Sequence, residues 1–117
     1  MNENELKYRT KQYALRIIKL VRALPKTIDG RAIGNQLVRS GTSLAANCRA
    51  VCRARSRADF ISKLGIVIEE ADESAFWLEI IIDSRLIKES LVAPLLKETD
   101  ELIAIMVASN ISASKNK

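Results

Sequence analysis

Apolar residues recur at threes and fours along nearly the whole chain, and almost nothing interrupts them. The 117 residues hold only two prolines and four glycines. A period of threes and fours is the α-helical one. So few turn-forming residues exclude a many-stranded sandwich or barrel. The length suits one domain, and 48% hydrophobic residues suffice to bury a core. The expectation is therefore all-α.

Four helices can be placed. In the first, Leu6, Tyr13, Ile17, Leu20, Val21 and Leu24 form the stripe, and Pro25 ends it because the residue before proline avoids helix. Thr27 is placed to cap the second, with Asp29 in its first turn. Its stripe is Ile33, Leu37, Ser40, Leu44, Cys48 and Val51. Gly30, Gly34 and Gly41 each cost a helix about 1 kcal/mol relative to alanine. They predict a close neighbour, or a break near Gly41. Ser56-Arg57-Ala58-Asp59 reads as a capping box opening the third helix. Phe60, Leu64, Val67, Ala71, Ser74, Leu78 and Ile81 then alternate by four and three. The fourth begins around Ser90 to Pro94, since proline is tolerated in a first turn, and Leu91, Leu95, Leu102, Ile105 and Met106 line it. A small polar tail from about Ser109 is expected to fray. Short links between long helices predict an antiparallel up-down-up-down four-helix bundle, a single domain over residues 1–117.

The third helix has more apolar surface than one core needs. Ile66-Val67-Ile68, Trp77-Leu78 and Ile80-Ile81-Ile82 place apolar side chains on more than one face. Trp77 and Ile80, with Glu69 and Glu73, are the candidate contacts to another copy.

Histidine is absent, which removes His-based triads, His metal sites and the usual general base near neutrality. With no phosphate loop or nucleophile elbow either, the chain reads as no enzyme, with no cofactor. Two thiols, Cys48 and Cys52, do not make a tetrahedral metal site and read as small buried hydrophobes. Asn47 is either a register-fixing buried amide or a surface residue. Glu69, Asp72 and Glu73 would suit a hard cation, but pairing with arginines is favoured. Residues 1–12 are polar, and no apolar run approaches the ~18–20 residues of a membrane span. The expectation is a cytoplasmic protein with reduced thiols and no membrane contact.

The charge is what points to a partner. The net charge is +5, but unevenly placed: +10 up to Arg57 and −5 from Ala58 onward. At about 100° per residue, Arg31, Arg39, Arg49 and Arg53 fall within an arc of about 80°, opposite the apolar stripe. Arg55 and Arg57 follow, and Arg9, Arg16, Lys19, Arg22 and Lys26 lie on the outer side of the first helix. This predicts a surface for RNA or DNA phosphates. Aromatics are only 4%, so a base-stacking platform is not expected. A solvated face, or ion pairs to the acids of the third helix, is the duller reading. On that reading the charge asymmetry drives self-assembly or binding of a protein partner.

Leu24-Pro25-Lys26, the run from Asn35 through Asn47, and Arg55-Ser56-Arg57-Ala58-Asp59-Phe60 resemble the four-helix-bundle family of proteins encoded in 23S rRNA intervening sequences. The likeness runs from about Tyr8 to Met106. It implies an antiparallel bundle that assembles as a ring-like homopentamer, with no known enzyme activity. A related branch, the accessory proteins of diversity-generating retroelements, binds nucleic acid and a reverse transcriptase. Many members carry Ala-Glu-Gly where this chain has Arg49-Ala50-Val51, so a role tied to that Glu does not carry over.

Overall fold

The structure is a computed structural model and describes residues 1–115. Its elements are α1 (Glu3–Ala23), α2 (Ile28–Val51), α3 (Arg57–Asp83) and α4 (Glu89–Lys115). Three helix starts are capped by side chains, as orphan N–H groups require. Asn2 accepts from the Glu5 N–H at 2.8 Å, Thr27 from Gly30 at 3.2 Å and Ser56 from Asp59 at 3.0 Å. The Asp59 carboxylate reaches back to the Arg55 N–H at 3.0 Å, one residue upstream of the usual capping-box partner. α3 ends in a Schellman closure, with Leu86 N–H on the Ile81 carbonyl and Arg85 N–H on that of Ile82. Arg85 takes a φ of 58° there, a conformation usually left to glycine.

Each helix packs on its chain neighbours and α4 packs back on α1, while among the described residues the backbones of the diagonal pairs make no close approach. That is the square of an up-down-up-down bundle. Tyr13, Ile17, Leu37, Leu44, Leu64, Leu78, Ile81, Leu102 and Met106 are fully buried along its axis. α2 runs unbroken through Gly41. A Cβ built there would lie 2.8 Å from the nearest side-chain carbon of Ile17, so the glycine serves close approach of α1 and α2 rather than a bend.

Two sequence expectations shift. α4 starts at Glu89, so Pro94 sits inside the helix, beyond the first turn. Its ring removes one donor, and the carbonyl that loses it belongs to Ser90, an exposed residue open to water. α4 also runs on to Lys115, past the polar tail expected from about Ser109. No glycine or proline follows Pro94 to stop it, and Asn110 and Ala113 stay half-buried in register with Met106.

One feature of the core is polar. Each helix contributes a buried hydroxyl: Tyr13, Ser40, Ser74 and Thr99. Ser74 Oγ lies 2.9 Å from Ser40 Oγ, and Tyr13 OH lies 2.6 Å from Thr99 Oγ1. Thr99 spends its hydrogen on the Leu95 carbonyl at 2.8 Å, so Tyr13 donates to Thr99. The belt links α2 to α3 and α1 to α4 without a charge.

Candidate nucleic-acid interface

The six candidate arginines do not form one stripe. α2 ends at Val51, and the N–H groups of Arg53 and Ala54 turn back to the Ala50 and Val51 carbonyls at 3.1 Å. Cys52 keeps an αR backbone, so Arg53 follows the last turn closely, and the chain leaves the helix between Arg53 and Arg55. Arg31 stands at the far end of α2, about 27 Å from Arg49 at 1.5 Å per residue. It borders a shallow depression with Pro25, Lys26 and Asn35. Arg39, midway, turns to α3, where its guanidinium pairs with Glu73 and reaches Glu70 at 3.6 Å. The Glu73 hydrogen bond holds the Arg39 guanidinium above its usual pKa. Arg39 is thus spent on the neighbouring helix.

The remaining four gather at one end of the bundle. Arg49 lies on the last turn of α2, Arg53 and Arg55 in the connection, and Arg57 on the first turn of α3. All four are exposed, while Ala54 between Arg53 and Arg55 is half-buried and anchors the connection. Among the described residues none of the four pairs with a carboxylate. The nearby acid, Asp59, is already held by Lys63 at 2.9 Å and by the Arg55 N–H. The Lys63 hydrogen bond, first, and the Arg55 N–H keep its carboxyl below the usual range. The electrostatics of this end are therefore those of four unneutralised guanidinium groups. Fixed positive charge of that kind attracts polyanions.

The candidate copy-to-copy residues also divide. Glu69 is exposed, and Trp77 and Ile80 are half-buried. Glu73 is occupied within its own chain, by Arg39 and by the Trp77 indole N–H at 3.2 Å. The residue that periodicity underrated is Phe76, 52% exposed on the outer side of α3. Its signal was in the sequence: it lies a half-turn from the Ser74–Leu78 stripe, so it must point outward.

Cys48 is buried and Cys52 half-buried, both unpaired. Burial pushes both thiols above the usual value. Asn47 bonds to the Ser43 carbonyl of its own helix at 2.8 Å, so it pins no neighbour. Among the described residues no three Asp, Glu or Cys groups come together as metal ligands. No helix there is long and apolar enough to cross a membrane.

The model of the 23S rRNA-intervening sequence protein family matches residues 2–108. No curated protein matches the chain. A crystal structure of a protein of unknown function from the S23 ribosomal protein family of Bacteroides thetaiotaomicron is similar to it. The two share 33% identity and a TM-score of 0.85, over 94% of this chain and 98% of that one. The helix order, the Asn35–Asn47 stretch on α2 and the Ser56 cap of α3 all sit inside the matched span, and this chain belongs to the 23S rRNA-intervening sequence protein family.

Proposed function

We propose that this protein is a non-enzymatic, homo-oligomeric bundle that binds the phosphate backbone of RNA or DNA through the end carrying Arg49, Arg53, Arg55 and Arg57. The observation that carries the reading is the exposure of those four guanidinium groups, with no carboxylate on any of them among the described residues. Arg31 and Arg39 are left out of the site, one by distance and one by its ion pair. Phosphate contacts by arginine are sequence-independent, so duplex DNA or structured RNA is the expected ligand. Repetition of the site around a ring of copies, five on the family resemblance, multiplies weak contacts through avidity.

The test is binding to labelled duplex DNA and structured RNA across a salt series, with the mass of the protein measured in the same buffer. One copy engaging all four arginines on duplex DNA gives a log–log slope of about −3.6. A Kd that barely moves with salt overturns the reading. A second reading has its own support: Arg39 is consumed by Glu70 and Glu73, and Phe76 is bare on α3. On it the protein is an interaction scaffold whose charges serve assembly or an enzyme partner. Arg49→Glu with Arg53→Glu separates the two. Loss of nucleic acid by an intact oligomer favours the first, and dissociation into monomers favours the second.

A further inference from the structure

Two surfaces of the molecule carry exposed apolar side chains beside charges of opposite sign. The first is a groove between α1 and α4, whose wall and rim join Tyr8, Arg16 and Lys19 of α1 with Leu91 and Pro94 of α4. It comprises two depressions of about 580 and 290 Å³ that meet at Arg16. Tyr8 and Leu91 are 68% and 59% exposed, an apolar surface that none of the described residues covers. Leu91, expected on the core stripe of the fourth helix, faces outward because Val92 takes the buried position of that turn. Arg16 and Lys19 have no carboxylate partner among the described residues; of the two acids lining the groove, Glu98 is paired with Arg9, and Glu5, at the Tyr8 end, accepts from the Asn2 side chain. At 1.5 Å per residue, Tyr8 to Ala23 spans about 22 Å.

The second surface is the outer face of α3. Phe76 and Ile66 are exposed there, with Ile80 half-buried beside them. Glu69, Asp72 and Glu79 flank Phe76 on that face and pair with no cation among the described residues. From Ile66 to Ile80 the strip is about 21 Å long. Its apolar part is Phe76 with Ile80, since Glu69 stands between Phe76 and Ile66, and the carboxylates Glu69, Asp72 and Glu79 surround it. The groove sets apolar Tyr8 and Leu91 beside Arg16 and Lys19, with Glu5 at its Tyr8 end.

We infer that the α1–α4 groove is the socket for the α3 outer face of a second copy, the Phe76 ridge lying in the groove with its flanking carboxylates on Arg16 and Lys19. This rests on the homo-oligomeric reading above and names its two surfaces. Because socket and ridge are different patches of the same chain, the contact is head-to-tail. Repeated, such a contact closes into a ring or runs on as a fibre, and it does not stop at a two-fold dimer. It also assigns Arg16 and Lys19 to assembly, leaving the α2–α3 turn free for phosphate.

The test is charge reversal on each side, read by solution mass at low salt on nucleic-acid-free protein. The socket variant is Arg16→Glu with Lys19→Glu, and the ridge variant is Glu69→Lys with Glu79→Lys. All four positions are surface sites, and helicity by circular dichroism controls for folding. The expected result is an assembled wild type, loss of assembly by at least tenfold in concentration for each variant, and recovery when all four changes share one chain. Lys88→Glu with Lys97→Glu makes the same change in net charge away from both surfaces and leaves the mass unchanged. A monomeric wild type overturns the homo-oligomeric reading and this inference with it. An assembled wild type whose two variants also assemble overturns the inference alone. So does dissociation that the four-change chain does not repair.

Discussion

The α2–α3 seam and the α1–α4 seam close the same bundle by different means. α2 and α3 meet over small side chains, with Ser40 on Ser74 in the dry interior and Arg39 on Glu70 and Glu73 at the rim. α1 and α4 stand further apart and are bridged rather than zipped. Arg9 grips Glu98 with two hydrogen bonds of 2.7 and 2.6 Å and adds Glu101 at 2.9 Å, while Tyr13 reaches across to Thr99. A seam of small residues leaves no room for a guest. A seam held by long side chains leaves a groove beside the bridge. The difference teaches where the fold is self-sufficient and where it is unfinished.

The largest expected effect contrasts a leucine of each seam. Leu44→Ala removes a fully buried side chain of α2 and should cost about 2–5 kcal/mol in denaturant unfolding. Leu91→Ala, on the rim of the groove, should stay within about 0.5 kcal/mol for the monomer. Equal losses would mean that the open seam is packed like the closed one. Next comes the hydroxyl bridge. Tyr13→Phe should cost about 1–2 kcal/mol, because Thr99 loses its buried donor. Burial pushes the Tyr13 phenol up to about 12. The unfolded chain ionises first, near the ordinary 10.0, so wild-type stability should fall as pH rises from there towards 12. The Phe variant should lose that slope, measured by unfolding at stepped alkaline pH. The smallest effect is on the ion bridge. The Arg9 hydrogen bond, above all, holds the Glu98 carboxyl below its usual 4.5. The unfolded chain takes up the proton first as pH falls, so this stabilisation is present above 4.5 and is lost on acidification. Glu98→Gln should flatten the acid limb and cost about 1 kcal/mol at neutral pH, as charge-assisted pairs of this exposure do.

Much of the fold was legible in the chain. The stripes on α1, α2 and α3 named most of the core, though Leu6, Val21, Ile33 and Phe60 lie at its edge and Thr10 and Ala75 were missed. Thr27 and Ser56 were legible as caps because a hydroxyl before a helical run has one use there. The arginine site was legible only in part. A helical wheel shows which side of α2 its arginines leave from, but not that α2 ends at Val51 and that Arg55 and Arg57 then stand at the same end of the bundle. Pairing of the third-helix acids with arginines was expected from the charge pattern, but a wheel does not single out Arg39, which finds Glu70 and Glu73 only when α3 packs alongside. The Tyr13–Thr99 and Arg9–Glu98 bridges join residues far apart in sequence, and neither carries a local signature. They follow from α4 folding back onto α1, and periodicity does not measure which side chains then meet.

Trp77 is the one tryptophan of the chain. Its indole lies edge-on to Phe76 at 4.9 Å between ring centres, with its N–H on Glu73. The protein therefore carries an optical probe of its own at the border of the ridge. Whatever dries that face should move the emission of Trp77 to shorter wavelength, so the arrival of a neighbour can be followed by fluorescence, without a dye, in the same cuvette as a salt titration.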